Sequence, residues 1–310
     1  MKINNPNGVW PTMITLYNES GEIDYEAMGR LVEWFIQNKV DGLFAVCQSS
    51  EMFFLSLEER VKLATFVVEK AAGRVPVIAS GHTADAIEDQ AKELTAMSET
   101  EAEAVILISN RLANENESDD VWIANAQKLL DLLPAHVALG IYECPYPYKR
   151  LLTPATLKWC ADSGRFFFLK DTCCDTATIK ERLEVIKGSP LKLFNANSAT
   201  LLETLKLGID GYSGVMANFH PDLYVWLMKN WEKQPEEADR LMNLLSVASF
   251  IERQLYPINA KYYQMKEGIS SNYTSRARNH DEFTATNKVE VDQLYRLSKE
   301  LSQQFSVTAE

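Results

Sequence analysis

Eight short apolar runs alternate with helical patterns through the first two-thirds of the sequence. The runs lie at residues 9–16, 42–48, 75–81, 104–109, 137–144, 165–171, 191–196 and 211–216. Nearly continuous apolar runs are typical of strands that are buried on both faces of a parallel sheet. An open doubly wound sheet produces similar local patterns, but eight repeats in 310 residues favour a closed α/β barrel of the (β/α)8, or TIM barrel, type.

Helical patterns fill the segments between these runs and continue after the last one. Beyond the eighth run they cover residues 221–231, 236–255, 258–267 and 289–305. That is about three helices more than a minimal barrel needs. We therefore expect a barrel over residues 1–232 and a C-terminal helical region over residues 233–310 that packs on the barrel.

Charge and hydropathy exclude several classes of function. The chain has 31 Lys and Arg against 43 Asp and Glu, a net charge of −12 at pH 7, and such a surface repels nucleic-acid phosphates and anionic lipid heads. No apolar stretch approaches the ~20 residues of a membrane span, and the first seven residues lack the apolar segment of a signal peptide. We expect a cytoplasmic protein that binds neither nucleic acid nor membranes.

The sixth run carries the most reactive candidate residue. In a barrel of this type the functional groups lie at the C-terminal ends of the strands. Lys170 ends the run after four large apolar residues, and poor solvation of its ammonium form lowers the pKa of a lysine and frees the amine to attack a carbonyl. Lys170 is therefore a candidate for Schiff-base (imine) catalysis. The alternatives are a side chain that extends to solvent or an ion pair with Asp171.

Two other strand ends carry polar groups. Tyr142 ends the fifth run, one strand before Lys170, so its hydroxyl is in a position to relay protons; the alternative is a tyrosine packed in the barrel rim. The second run ends in the turn Cys47-Gln48-Ser49-Ser50-Glu51. Backbone N–H groups and serine hydroxyls there can cradle a carboxylate, and the alternative is an ordinary turn between a strand and a helix.

Metal and nucleotide sites lack sequence support. Four of the five cysteines fall at or just after strand ends, namely Cys47, Cys144, Cys173 and Cys174. No Cys-x-x-Cys spacing accompanies them, and no glycine-rich phosphate-binding motif is present. We expect small, partly buried thiols, with no metal and no nucleotide cofactor.

With these residues identified, nearly the whole chain resembles the dihydrodipicolinate synthase and N-acetylneuraminate lyase family of class I pyruvate aldolases. The resemblance rests on the turn that ends in Ser49-Ser50-Glu51, on Tyr142 with Pro145 three residues later, and on Lys170 at the end of the sixth strand. It implies that Lys170 forms an imine with pyruvate or a related 2-oxo acid and that Tyr142 shuttles a proton. The covalent imine would then take the place of a cofactor.

The resemblance also assigns residues that bind the substrate. Gln48 and Ser49 occupy the two positions that bind the pyruvate carboxylate or relay protons, and Ser213 on the eighth strand occupies a position that lines the pocket near the lysine. Relatives form homotetramers built from dimers, so the resemblance implies a homo-oligomer, a dimer or a tetramer.

The chain departs from the family pattern in the turn after the second strand. The family usually has Gly-x-x-Gly-Glu, whereas Cys47 and Ser50 stand at the two glycine positions here. Glycine permits a positive φ and a close approach to ligand, so we expect a turn of different shape. Gln48 replaces a Thr or Ser, so the hydroxyl relay through Tyr142 is expected to be broken or rewired through Ser49.

Two further departures affect the second substrate. After the fourth strand, Ser109-Asn110-Arg111 stands where the synthases have an aromatic pair that supplies a tyrosine to the neighbouring subunit. The arginine that binds the second substrate of the synthases is also missing, and Lys149 and Arg150 offer positive charge from other positions.

These departures argue against dihydrodipicolinate synthase itself. They favour a Schiff-base-forming lyase or aldolase that acts on pyruvate, or on a 2-oxo acid that yields pyruvate, with an altered acceptor. One alternative is an imine-dependent dehydratase or decarboxylase of a sugar-derived 2-oxo acid. Another is a non-catalytic barrel that binds a 2-oxo acid. In each case the expected partner is a small 2-oxo acid.

Overall fold

The computed structural model describes residues 3–306, which form a closed parallel barrel. Its strands are β1 (Gly8–Val9), β2 (Leu43–Phe44), β3 (Val77–Ser80), β4 (Ala104–Ile108), β5 (Leu139–Tyr142), β6 (Phe166–Asp171), β7 (Lys192–Asn195) and β8 (Gly211–Tyr212). They pair in the order β1-β8-β7-β6-β5-β4-β3-β2. A parallel bridge between Thr12 and Phe44 joins the two ends of this sheet, which confirms the predicted (β/α)8 barrel.

One helix follows each strand, and further helices follow the eighth repeat. The barrel helices are α1 (Tyr25–Gln37), α2 (Leu57–Ala71), α3 (Ile87–Ser98), α4 (Asp119–Leu132), α5 (Pro154–Asp162), α6 (Thr176–Ile186), α7 (Leu201–Leu207) and α8 (Pro221–Asn230). The C-terminal helices are α9 (Pro235–Ala248), α10 (Ile258–Lys266) and α11 (Ala285–Gln304). Polar caps start several of them: the Ser56 hydroxyl accepts from the Glu59 N–H at the start of α2, as its capping-box pattern predicts.

The segment predicted as one helix over residues 236–255 is broken. After α9 ends at Ala248, a 3₁₀ helix covers Ser249–Arg253, and Leu255 has a φ of 30°. Pro257 has no N–H to donate and disfavours helical geometry in the residue before it, so the helical pattern cannot run through into α10. The broken segment packs against the 3₁₀ turn Val215–Asn218 after β8, at the C-terminal end of the barrel.

Aromatic rings fill the barrel interior. Alternate residues of a strand share a face, so Phe168 and Lys170 both point inward from β6. The Phe168 ring stacks on Phe194 at 4.1 Å and packs edge-on against Trp10 at 5.3 Å and Phe44 at 6.3 Å between ring centroids. All four rings are fully buried. They form an apolar floor that excludes water from the interior beneath the lysine.

The C-terminal helices pack on the last barrel helices and on the turn after β2. α9 contacts α7 and α8, and α11 contacts α8 and α10. Lys261 of α10 forms a buried ion pair with Glu51 in that turn. The division of the chain at residues 232/233 stays a prediction. No helix within residues 3–306 combines the length and the apolarity that crossing a membrane requires.

Candidate active site

Lys170 lies buried at the C-terminal end of β6 with a free amine. The residue is 3% exposed, and its Nζ forms no hydrogen bond or ion pair within residues 3–306. Burial lowers the pKa of Lys170 below its usual value of 10.5, and the neighbouring Cys47, Cys144 and Glu252 offset this only in part. Asp171, the partner considered in the sequence, pairs with Arg182 instead. The lysine therefore neither extends to solvent nor forms that ion pair.

A second buried lysine, Lys261, differs from Lys170 in the partners of its amine. Burial also lowers the pKa of Lys261, to about 8. Its Nζ, however, donates to the carboxylate of Glu51 and to the carbonyl of Thr274, at 2.8 Å for the latter. The Lys261 amine is therefore held as a structural cation, whereas the Lys170 amine is available to a ligand.

Tyr142 lies beside Lys170 in the site. The two residues pair in register across β5 and β6, and the Lys170 Nζ lies 4.3 Å from the centroid of the Tyr142 ring. The Tyr142 hydroxyl donates to Gln48 Oε1 over a long distance of 3.4 Å, and the Cys144 thiol donates to the same oxygen at 3.5 Å. Burial raises the pKa of Tyr142 well above 10, so its hydroxyl keeps its proton at neutral pH. The structure thus brings Lys170, Tyr142 and Gln48 together.

The turn after β2 forms without either glycine of the family motif. Cys47 has an extended φ of −155°, and Ser50 lies in a 3₁₀ helix (Gln48–Ser50), so neither position requires a positive φ. The left-handed residue is Glu51, with φ 60°. The Ser50 hydroxyl donates to the Met13 and Ala45 carbonyls at 2.8 and 2.9 Å. The serine therefore fixes the turn to the barrel through hydrogen bonds that glycine cannot make.

Glu51 binds the C-terminal region to this turn. Besides its ion pair with Lys261, its carboxylate accepts from the Ser275 hydroxyl and from the N–H groups of Arg276 and Ala277, each at 2.7 Å. The loop that contains residues 275–277 also carries Arg278, which lines the cavity above Lys170. The motif glutamate thus positions one wall of the site and has no free oxygen for catalysis.

A cavity of about 370 Å³ opens above Lys170. Gln48, Ser49 and Tyr142 line it, as do Lys149 and Arg278. Lys149 and Arg278 are exposed, and their side-chain cations form no ion pair within the described part of the chain, so they place positive charge at the mouth. An anionic ligand therefore meets an attractive potential as it enters.

The end of β4 holds the loop after β5 in place. The Asn110 amide donates to the carbonyls of Cys144, Tyr146 and Tyr148, at 2.9, 2.9 and 2.6 Å. Arg150 donates to the carbonyl of Asn114 at 2.6 Å and is oriented away from a ligand role. Of the two cations considered in the sequence, only Lys149 lines the cavity.

A buried charge cluster ties β5 to β6 directly behind Tyr142 and Lys170. The Arg182 guanidinium on α6 pairs with Glu143 at 2.6 Å and with Asp171, and all three side chains are at most 3% exposed. Glu143 also accepts from the N–H groups of Leu152 and Thr172 at 2.7 and 2.9 Å. This cluster fixes the strand ends that carry Tyr142 and Lys170.

The C-terminal region contributes cavity residues that were not predicted, among them Glu252 and Tyr256. Glu252 and Tyr256 line the same cavity as Lys170, from the broken segment between α9 and α10. Burial raises the pKa of Glu252 from 4.5 to about 7, against the opposing effect of the Lys170 and Arg253 charges. The sequence signal that could have located them was Pro257, which ends the helical pattern just after both residues.

Ser213 is placed differently from the other predicted residues. It is fully buried on the strand that ends at Tyr212, and it is not among the residues that line the cavity. Its hydroxyl has no hydrogen-bond partner in the part of the chain that the structure describes. Gln48, Ser49, Tyr142 and Lys170 therefore meet in one cavity, and Ser213 lies outside its lining.

Fold and site together define a (β/α)8-barrel protein with a desolvated, unpaired lysine amine at the end of its sixth strand. The model of the dihydrodipicolinate synthetase family matches residues 5–114 and 132–282, and the chain belongs to this family.

Individual relatives agree with this membership. A 4-hydroxy-tetrahydrodipicolinate synthase from Ruegeria pomeroyi is 32% identical over 272 residues, covering 85% of this chain and 89% of its own. Escherichia coli YagE, named as a candidate 2-dehydro-3-deoxy-D-gluconate aldolase, is 28% identical over 232 residues, 72% of this chain and 74% of its own. The crystal structure of YagE in complex with pyruvate superposes with a TM-score of 0.82 at 22% identity, covering 96% of this chain and 98% of YagE. The family is therefore one of lyases.

Proposed function

We propose that this protein is an imine-forming lyase that acts on pyruvate or on a 2-oxo acid that yields pyruvate. The observation that carries the proposal is the Lys170 amine, which is buried, unpaired and exposed to a ligand cavity. A lysine in this state attacks a ketone without first having to lose a tightly held proton. The YagE complex with pyruvate supports a 2-oxo acid as the ligand class.

The proposed chemistry begins at the ketone carbon. The Lys170 amine adds to that carbon, water leaves, and a protonated imine forms. The imine then accepts the electron pair of a bond to the neighbouring carbon, so either a proton leaves the methyl group or a carbon–carbon bond beyond it breaks. The enamine that results takes up a proton at this carbon and becomes an imine again, and hydrolysis of the imine returns the lysine and releases the 2-oxo acid.

We assign the substrate carboxylate to the turn after β2. Gln48 and Ser49 begin the 3₁₀ helix there, and the first N–H groups of a helix have no partner within it. Both residues line the cavity, and the Ser49 hydroxyl lies 3.3 Å from the Thr12 hydroxyl. A carboxylate beside this turn would bring the ketone carbon toward Lys170.

Trapping with borohydride tests the proposal. The protein is incubated with pyruvate and sodium borohydride, and intact mass spectrometry followed by peptide mapping locates the adduct. We expect one reduced-pyruvate adduct, on Lys170. Lys261 is an internal comparison, since it is also a buried lysine of lowered pKa. An adduct on Lys261 or on surface lysines, or none at all with pyruvate, would contradict the proposal.

A second measurement separates the reactions open to such an imine. A panel of 4-hydroxy-2-oxo acids and sugar-derived 2-oxo acids is incubated with the protein, and the products are identified. We expect release of pyruvate and an aldehyde. A dehydratase or decarboxylase would release no pyruvate, and a barrel that only binds its ligand would form no product.

We also propose that the protein forms a homo-oligomer. Light scattering measures its molar mass in solution directly.

Replacing Tyr142 with Phe tests the proton-shuttle role. The Phe ring retains the packing over the Lys170 Nζ but loses the hydroxyl. We expect the rate of adduct formation with pyruvate to fall by about a hundredfold or more, as is typical when a proton-transfer group is removed. Tyr295→Phe, on α11, is the matched control and should react like the parent. Equal rates for Tyr142→Phe and the parent would show that the hydroxyl moves no proton.

A further inference from the structure

Among the described residues, two carboxylates line the cavity, Glu51 and Glu252, and the Glu143 and Asp171 carboxylates lie behind it with Arg182. Glu143 pairs with Arg182 and accepts from two backbone N–H groups. Glu51 pairs with Lys261 and accepts from three donors in residues 275–277. Glu252 forms no hydrogen bond or ion pair within residues 3–306, although it lines the cavity with Lys170. A partly buried, unpaired carboxylate costs folding free energy, so its placement calls for a functional explanation.

The proton path through Tyr142 ends at Gln48. Within residues 3–306 the Tyr142 hydroxyl donates to the Gln48 amide oxygen, which accepts a hydrogen bond but does not take up a proton at neutral pH. A Thr or Ser hydroxyl can both accept and donate, and this position holds neither. The reaction therefore requires another group that can hold a proton near the imine.

The environment of Glu252 suits such a group. The charged groups that act on it are Lys170, across the cavity, and its neighbour Arg253. The other titratable groups facing it are Tyr212, Tyr224 and Tyr256, and burial, with a smaller effect from the Glu252 charge, raises the pKa of each. These tyrosines stay protonated at neutral pH. Of the Glu252 carboxyl and these three tyrosines, Glu252 alone gains or loses a proton near pH 7.

We propose that Glu252 is the catalytic base and acid that moves the proton at the methyl carbon of the imine-bound 2-oxo acid. This inference rests on the imine chemistry proposed above. The Glu252 carboxylate takes one proton from the methyl carbon, and the carbon–hydrogen electron pair becomes the double bond between this carbon and the former ketone carbon. The π pair of the imine moves to the Lys170 nitrogen and neutralises it. The reverse step returns the proton, so no further reactant is needed.

The test uses pyruvate as the probe and two readouts. Borohydride trapping reports the imine at Lys170, and proton NMR in D2O reports deuterium entering the pyruvate methyl group. We expect the Glu252→Gln protein to form the adduct as the parent does but to exchange methyl protons about a hundredfold more slowly or worse. Glu252→Asp should recover part of the rate, since it restores a carboxylate. Glu232→Gln, an exposed carboxylate between α8 and α9, is the control and should match the parent.

The pH profile gives a readout that a purely structural role would not change. At saturating pyruvate the parent's exchange rate should rise as Glu252 loses its proton and level off above about pH 7, and Glu252→Gln should lack this rise. Wild-type exchange in Glu252→Gln would overturn the inference and leave the imine assignment intact. The inference would also be overturned if Glu252→Gln lost both the adduct and the methyl exchange while its circular dichroism spectrum stayed unchanged. No adduct in the parent would overturn the proposed function, and the inference with it.

Discussion

A Lys170→Met variant is expected to lose all imine chemistry and to unfold at a higher denaturant concentration than the parent. The activity loss follows because the other described lysine that lines the cavity, Lys149, is exposed at its mouth and is not buried at the end of β6, so turnover should fall by about four orders of magnitude or more. The gain in stability follows because the apolar floor of Trp10, Phe168 and Phe194 gives a buried ammonium group no compensation for its lost hydration.

The size of the stability gain in Lys170→Met depends on pH. Because the pKa of Lys170 is lower in the folded protein than in the unfolded chain, the folded protein binds this proton more weakly. The lysine therefore costs stability below its ordinary pKa of 10.5, and the cost shrinks as the pH rises toward that value. Urea denaturation at pH 6, 8 and 10 should show a gain for Lys170→Met that is larger at pH 6 than at pH 10.

The control for this variant is Lys180→Met, which removes an exposed lysine from α6. It should trap pyruvate and unfold as the parent does. Adduct formation in Lys170→Met at the parent's rate would refute the assignment of the reactive amine. A variant less stable than the parent at pH 6 would show that the Lys170 ammonium group is stabilised in the folded protein.

An Arg182→Met variant is expected to lower the free energy of unfolding by about 3 to 5 kcal/mol, the usual cost of leaving buried charges without their partner. Glu143 and Asp171 are fully buried, and both depend on this guanidinium. Burial already raises the pKa of Glu143 in the presence of Arg182, so its removal should drive this carboxyl toward the protonated form. The loss should therefore grow as the pH rises and Glu143 ionises.

Thermal denaturation measures this directly, with a decrease in Tm of roughly 10 °C expected at neutral pH. Lys180→Met, two residues before Arg182 on the same helix and exposed, again serves as the surface control. The triple variant Glu143→Gln, Asp171→Asn, Arg182→Met should regain a large part of the lost stability, because it removes the uncompensated charges. An unchanged Tm in Arg182→Met would mean that the cluster does not hold β5 and β6 together.

The pairing of Tyr142 with Lys170 was predictable from sequence because it depends on strands. Apolar runs locate the strands of a parallel barrel, and the C-terminal ends of neighbouring strands meet at one face, so Tyr142 and Lys170 could be paired before any coordinates were known. The structure places them in register, with the lysine amine over the tyrosine ring.

Glu252 and Tyr256 could not be found in this way. They follow a helix, and a helical pattern of apolar residues says nothing about where a break returns the chain to the barrel. The period continued through residue 255, whereas Leu255 adopts a positive φ and Pro257 stops the helix. Likewise, the turn at residues 47–51 was expected to change shape without its glycines, but serine hydrogen bonds fix it with the positive φ at Glu51. Tertiary contacts, rather than local preference, decide both features.

The attachment of Glu51 also has a consequence for biosynthesis. This carboxylate enters the growing chain early, yet its Ser275 donor is translated 224 residues later. Until residues 275–278 leave the ribosome, Glu51 lacks the hydrogen bonds from Ser275, Arg276 and Ala277 that hold the turn in place. The cavity wall that contains Arg278 is also missing until then. Contacts between such distant segments form late in folding. Between the synthesis of Lys170 and that of Ser275, the nascent chain therefore carries the Lys170 amine in an open, unfinished pocket, and the Arg278 wall is added only afterwards.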